Sequence, residues 1–538
     1  MTVWRGPVPS LARALAVSAA LVLAGFGPAP LSAQEVPVSL LTAPERTDHR
    51  ETTRYEEVVA FMRAVTDASP LIHLTSFGYS LEGRSLPLAV VGRVADASPE
   101  SVRSAGKTVV YLQGNIHAGE VEGKEILLIL LREISEGRHG ALLDSLVLLV
   151  APILNADGNE RINLTNRGAQ HGPIGGTGTR ANAQGLNINR DHMKLDSPEG
   201  RSFARLLTEY DPHVAADLHT TNGTEHGYHL TFSPPLHPNT HPEIVAIARE
   251  RIFPEMTARV REETGWHFYY YGNLQGQGED RGWATFDHRP RFNNNYLGLR
   301  NRIGLLSEAY SYATFEDRMT ATRHFVAETL RFASEHATEI RELTARMDAQ
   351  SVVGERLAVR AAVERSEAPV EILLGSVTEE VNPYSGARML RRTDEVRSER
   401  MWEFGTFQAT ATEVVPGAYY IPAEMTEVLR TLEAHGVRMS PVASGALGMP
   451  GSLERFRLEA VASAAGTFEG RVEQTLSGAW EPAGAEVTME VVEVLVAQPL
   501  GRLIFSLLEP RSDDGLANWG FFASALEGAS FYPVLRGP

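Results

Sequence analysis

The chain has 538 residues, 22% of them charged and 43% hydrophobic, a formal net charge of −17 and no cysteine. That composition excludes a disordered polyelectrolyte and a disulfide framework, and the lack of thiols excludes thiolate-bound zinc, iron–sulfur centres and a cysteine nucleophile. The acidic balance speaks against a nucleic-acid partner, and without thiols any metal site must be built from imidazole nitrogen and carboxylate oxygen.

Residues 1–33 read as a signal peptide. Arg5 and Arg13 give a positive start, Ala14 to Phe26 is a short apolar run, and Leu31-Ser32-Ala33 offers small residues before Gln34. The run is short for a bilayer span, and no second run of membrane length follows. The expectation is a secreted or periplasmic protein with no stable membrane insertion once the leader is cleaved. In the mature chain, stability would come from packing without disulfides.

Residues 34–348 alternate between helical and strand patterns. Thr53 to Thr66 places Val58, Val59, Met62 and Val65 on one helical face. Leu86–Val91, Val109–Leu112, Leu146–Ala151, Val214–Leu218 and Ile303–Leu306 are apolar runs without alternation, which read as strands buried on both faces. Val121 to Ile134 is helical, and Ser197-Pro198-Glu199 is a helix start with cap, first-position proline and first-turn acid. Strands alternating with helices predict an α/β sheet with helices on both faces. Gly158 to His192, rich in Gly, Asn, Arg and Thr, is a long irregular stretch of the kind that carries function. A charged helix ends at Arg341 to Arg346. Residues 349–538 then change texture: short runs (Ala368–Leu374, Ala485–Val496, Arg502–Leu508) read as strands, with one helix near Glu424–Ala434. This part is expected to be a mainly β accessory region of one or two domains.

Three segments carry chemistry. Gly114-Asn115-Ile116-His117-Ala118-Gly119-Glu120 lies between a strand and a helix, where one loop can aim His117 and Glu120 at a common point. Spacing alone is weak, because a chain with 17 histidines holds about one His-x-x-Glu by chance. His336-Ala337-Thr338-Glu339 is such a decoy, placed in a charged helical pattern and read as a solvated face. Asp217-Leu218-His219-Thr220 ends the Val214 strand, at the sheet edge where α/β folds place their sites. His219 completes a His₂Glu set that leaves one metal position open, the catalytic arrangement. His213, His226, His229, His237 and His241 crowd the same region, and only the strand-end position separates His219 from them. In Ile303-Gly304-Leu305-Leu306-Ser307-Glu308 an acid ends an apolar strand, where desolvation raises its pKa toward that of a general base.

Together these residues resemble the carboxypeptidase A-like zinc metallopeptidase family over about residues 50–340. Gly78-Tyr79-Ser80-Leu81-Glu82-Gly83-Arg84 is similar to its early strand-turn segment, and His117-Ala118-Gly119-Glu120 to its first ligand pair. Asn155-Ala156-Asp157-Gly158 is similar to its Asn-Pro-Asp-Gly turn, and Gly185-Leu186-Asn187-Ile188-Asn189-Arg190 to its Gly-Val-Asp-Leu-Asn-Arg segment. His219 and Glu308 follow in order.

The resemblance implies a mixed, mostly parallel twisted sheet and one zinc ion per chain, held by His117, Glu120 and His219. It also implies hydrolysis of the C-terminal bond of a peptide substrate, with Glu308 as general base. Asn189 and Arg190 would hold the terminal carboxylate. The carbonyl-polarising arginine would be Arg180, nine residues before Asn189, with Arg167 second. Tyr296 would be the mobile tyrosine, with Tyr310 and Tyr312 competing. Gly119 stands where many relatives place an arginine. The specificity residue falls in Trp283–Arg302, where Arg300 and Arg302 invite an acidic-substrate reading that surface arginines explain more simply. The same residues would serve a cell-wall amidase or a deacylase, and a catalytically silent binding module is the third reading.

Overall fold

The computed structural model describes residues 37–278, 281–442, 453–483 and 490–538. The leader expected over residues 1–33 lies outside them. All five apolar runs read as strands before residue 348 belong to one eight-stranded sheet. Its strands are β1 (Ile72–Tyr79), β2 (Ser85–Val91), β3 (Thr108–Gly114), β4 (Leu146–Ala151), β5 (Val214–Thr220), β6 (Leu230–Ser233) and β7 (Phe268–Tyr270). Two short strands, β8 (Asn273–Gln275) and β9 (Gly282–Ala284), stand apart, and β10 (Ile303–Ala309) returns to the sheet.

The order is β1-β2-β4-β3-β5-β10-β6-β7. Strands β4, β3, β5 and β10 run parallel at the centre, buried along their length as their unbroken apolar sequences require. β1 and β2 add an antiparallel edge. Two helix groups cover the sheet. Glu122–Ser135 packs with Tyr55–Ala68 and Phe315–Glu335, while Pro198–Tyr210 lies against β1 and Asn293–Leu299 against β5 and β10. Ser197 caps its helix as expected, its side chain accepting from the Gly200 N–H. No helix among the described residues is long and apolar enough to cross a membrane.

After residue 348 strands dominate. β11 (Arg356–Glu364), β12 (Val370–Val381), β13 (Arg388–Phe404) and β14 (Thr406–Val414) are followed by a six-stranded sheet built from segments between Ala418 and Gly537. The change of texture at residue 348 is not a gap in packing. β13 pairs in parallel with β9, so β12-β13-β9-β8 is one sheet drawn from both sides of that point. One hydrophobic cluster runs from Tyr55 to Val534. The aromatic group near the C-terminus is largely internal, with Trp519, Phe522 and Tyr532 buried.

One element differs from its expected type. Arg502–Leu508, read as a strand, lies in the helix Gly501–Leu508 and is buried on every side. A short run that is apolar all round shows neither the 2-residue nor the 3.6-residue period. Its Leu-rich, β-branch-poor composition suits a helix packed against Asn293–Leu299. The charged helix ending at Arg346 is two helices, Phe315–Glu335 and Ala337–Ala349, meeting at His336.

Candidate active site

The C-terminal ends of β3, β5 and β10 are neighbours, and each delivers one piece of the site. The strand register decides which side chains meet. Glu308 of β10 pairs with His219 of β5, and Asp217 of β5 pairs with Gln113 of β3. Because side chains two apart on a strand share a face, Asp217 lies beside His219.

His117 follows β3 through a turn in which Asn115 takes a left-handed conformation, φ 62°, tolerated by Asn better than by most residues. His117 Nδ1 then stands 3.0 Å from Glu120 Oε1, and His219 Nδ1 2.8 Å from Glu120 Oε2. All three residues are buried, and their ligand atoms lie within 4.8 Å of one another. Both rings are oriented from behind. His117 Nε2 faces Asn187 Oδ1 at 2.9 Å, an oxygen that also accepts the Asn189 N–H, so Nε2 is the donor and Nδ1 carries the lone pair. His219 Nε2 donates to Asp217 Oδ2 at 2.9 Å, and Asp217 is held in turn by Gln113. Two imidazole Nδ1 atoms facing one carboxylate, each ring held through its Nε2, fit a zinc ion by donor type, closeness and outer support.

The charges around the trio are unequal. Burial alone would raise the Glu120 pKa, but His117 and Arg167 outweigh it and hold Glu120 well below the ordinary carboxylate value. Burial lowers His117 to about 4. Burial also works against charge on His219, yet Asp217 and Glu120 hold it well above the usual imidazole value. Glu308 is the reverse of Glu120: burial pushes it up to about 8, reinforced by Glu120 and opposed by His219. Its Oε2 is buried with no hydrogen-bond partner among the described residues.

A cavity of about 230 Å³ opens beside the trio. Arg167, Arg180, Asn189, Arg190 and Glu308, all expected from the sequence, line it together with His117 and Glu120. Arg190 is packed on the Phe292 ring, 3.7 Å from its centroid, and makes no ion pair among the described residues. Burial, then the neighbouring Arg180 and Arg291, lowers its pKa to about 10. Arg167 and Arg180 differ in freedom. Arg167 spends its donors on Glu120 at 2.8 Å, the Thr220 and Thr221 carbonyls and Gln170. Its side chain crosses the space above Gly119, where a Cβ would stand 2.7 Å from Arg167 Cδ. Arg180 is half exposed, and among the described residues its guanidinium bonds only His117 and Glu120, with Nη1 at 3.2 Å from His117 Nδ1 and 3.5 Å from Glu120 Oε1.

Tyr296 is not at this cavity. It is fully buried, its hydroxyl bonded to His435 Nδ1 at 2.7 Å and to Arg300 at 3.2 Å, and its ring is stacked on His192. Three asparagines, Asn293-Asn294-Asn295, precede Tyr296 in the buried helix Asn293–Leu299. Asn294 and Asn295 are internal braces, donating to or accepting from main-chain groups of residues 234, 236 and 287. Tyr310 and Tyr312 are also committed elsewhere, to the His226 N–H and the Gly223 carbonyl. The tyrosine that lines the cavity is Tyr271, and burial raises its hydroxyl pKa, with Glu308 adding to the effect. Sequence reading missed Tyr271, Phe286 and Phe292, which no local pattern marks, and left Asp217 without a role although its place two residues before His219 was visible. Arg300 and Arg302 are internal, Arg302 paired with Asp211 and Asp348.

The competing histidines have structural work: His213 Nδ1 accepts from Val109 N–H, His229 stacks on Trp266, and His241 caps a helix. The decoy His336 lies at the surface with Glu339 and Arg251.

A family model described as zinc carboxypeptidase matches residues 58–285, a span that holds the three ligands, Asn189 and Arg190 and ends before Glu308. Carboxypeptidase 2 of Trichophyton rubrum is 24% identical over 506 residues, covering 90% of this chain and 86% of that protein. Carboxypeptidase D of Mus musculus is 33% identical over 147 residues, covering 24% of this chain and 10% of that protein. A solved metallo-carboxypeptidase from Burkholderia cenocepacia has a TM-score of 0.40 at 16% identity, covering 53% of this chain and 70% of that one. Residues 58–285, which contain the buried His₂Glu trio, are thus similar to a zinc carboxypeptidase domain, and the donor set of the trio suits the zinc that such a metallopeptidase uses.

Proposed function

We propose that the chain removes C-terminal residues from peptides, with Glu308 as general base and Arg190 and Asn189 as the clamp for the terminal carboxylate. The observation that supports this most is the pairing of a raised, unpartnered Glu308 carboxyl with an ion-pair-free Arg190 across one small cavity. Zinc bound at His117, Glu120 and His219 supplies Lewis acidity toward an amide carbonyl and toward water. Glu308 accepts a proton from the attacking water and delivers it to the leaving nitrogen, a task its raised pKa suits. Arg190, desolvated against Phe292, gains most from a carboxylate partner, and its planar fork matches one. Arg180 is the arginine left free to meet the carbonyl oxygen, since Arg167 is already saturated. Tyr271 and Phe292 flank the bound residue.

A panel of peptides with free and amidated C-termini tests the reading. The free acids should be cleaved at least about 100-fold better in kcat/KM, the loss expected when one charge-assisted bond of about 3 kcal/mol is missing. Arg190→Met should erase most of that preference. Equal cleavage of acids and amides would instead favour an amidase or deacylase acting at the same zinc site.

The leader pattern of residues 1–33 supports export to the periplasm or beyond. A mature chain whose intact mass begins at Gln34 is the expected product, and an exported chain still carrying Arg5 and Arg13 would contradict it.

A further inference from the structure

The strands Glu454–Ser463 and Gln474–Pro482 are antiparallel partners, and the segment between them closes on a second, tighter hairpin. Phe468 N–H donates to the Arg471 carbonyl at 2.8 Å, and Arg471 N–H returns to Phe468 at 3.1 Å. The two turn residues, Glu469 and Gly470, have φ of +48° and +84°. Two positive φ values in a two-residue hairpin turn favour Asn-Gly, Asp-Gly or Gly-Gly. Gly470 fits that preference; glutamate at the first position does not.

The glutamate is explained by where its side chain goes. Glu469 Oε2 accepts the main-chain N–H of Asn187 at 2.7 Å, reaching a residue 282 positions earlier in the chain. The hairpin is pinned on both flanks. The Phe468 ring stacks on Trp519, and Arg471 holds Asp196 through two 2.7 Å bonds while lying over Phe521. Gly470 itself sits close to Leu186, where an added Cβ would come within 3.3 Å of the leucine side chain. The tip therefore grips the loop Leu186–Asp196 at both ends.

That loop serves the site twice through Asn187. Its side-chain oxygen accepts from His117 Nε2 at 2.9 Å and from the Asn189 N–H at 3.0 Å, capping the short turn Ile188–Arg190. We infer that Glu469 is a positioning residue for the active site: carried by the C-terminal region, it fixes Asn187, and through Asn187 both the His117 ring and the turn that presents Asn189 and Arg190. The second half of this inference rests on the reading of Asn189 and Arg190 as the carboxylate clamp.

The test uses the full-length, zinc-loaded protein and two substitutions. Glu469→Gly puts the preferred residue in the turn and removes the side chain that carries the carboxylate. Glu469→Gln keeps an acceptor oxygen in nearly the same place and removes the charge. For a peptide with a free C-terminus, KM should rise about tenfold in Glu469→Gly, the lower end of the loss seen for groups that orient a site from outside, with kcat within about twofold of wild type. Glu469→Gln should restore KM to within about threefold of wild type, because the acceptor is kept. Hydrogen–deuterium exchange of the peptide covering residues 182–196 should quicken in Glu469→Gly and recover in Glu469→Gln, with the rest of the chain unchanged. An unchanged KM, or a Gln variant as impaired as the Gly variant, overturns the inference, the latter by assigning the effect to charge. Unchanged exchange overturns the positioning itself. Quickened exchange in a protein whose wild type ignores the terminal carboxylate supports the positioning and refutes the clamp.

Discussion

Glu308→Gln should lower kcat for peptide hydrolysis by roughly 10²–10⁴-fold, the contribution of a positioned general base, while the protein keeps its zinc. Glutamine preserves the size of the side chain and its place at the end of β10, opposite His219, but cannot take a proton. The native carboxyl is held up at about 8 by burial, so near neutral pH folding must protonate or desolvate it, a cost that the neutral amide avoids. A thermal midpoint equal to or above that of wild type is therefore the expected companion result. Zinc content by elemental analysis, the midpoint and kcat decide the matter together. A Gln variant retaining a tenth or more of wild-type kcat would remove Glu308 from the mechanism, and one that lost its zinc would make it a ligand instead.

The second large effect is expected at Glu120. Glu120→Gln replaces the only carboxylate of the ligand trio with a neutral amide, at a point where Arg167, His117, His219 and the Thr220 N–H converge. Groups that merely orient a ligand are worth 10–100-fold in metal affinity, so losing a ligand's charge should lower zinc affinity by at least about 100-fold. Linkage turns this into a stability measurement. With free zinc at about 1,000 times the wild-type dissociation constant, binding stabilises the fold by about 4.1 kcal/mol, and a 100-fold weaker site by about 1.4 kcal/mol. Chelation should therefore shift the unfolding midpoint strongly in wild type and only slightly in Glu120→Gln. Identical shifts in the two proteins would place the zinc elsewhere.

The parts of the site that could be read from the sequence are those where chemistry interrupts a strong pattern. His219 and Glu308 end apolar runs whose burial on both faces is unmistakable, and His117 and Glu120 fill the next strand-to-helix loop. Asp157 shows why two of the family-like segments occur together: it accepts from Ser80, the Glu82 N–H and Arg84, joining the Gly78–Arg84 turn to the Asn155–Gly158 turn. Other parts left no local signal. Arg502–Leu508 is buried all round and therefore shows no period. Tyr296 follows three buried asparagines, two of which, Asn294 and Asn295, spend their side-chain polarity on main-chain groups inside the protein. Tyr271, which lines the cavity, lies in the short link where the chain passes from β7 in one sheet to β8 in another, a switch that no local pattern announces.

The sharing of β9 with β13 and of Asn187 with Glu469 bears on how the enzyme is made. A nascent chain released as far as residue 348 already contains every zinc ligand and Glu308. It still lacks the strand that flanks β9 and the acceptor that steadies the loop behind His117. Such long-range closures come late in folding. The proposed site is thus completed by segments synthesised well after Glu308, and a fragment trimmed to residues 58–285 would bear His117, Glu120 and His219 without Glu308 or that support.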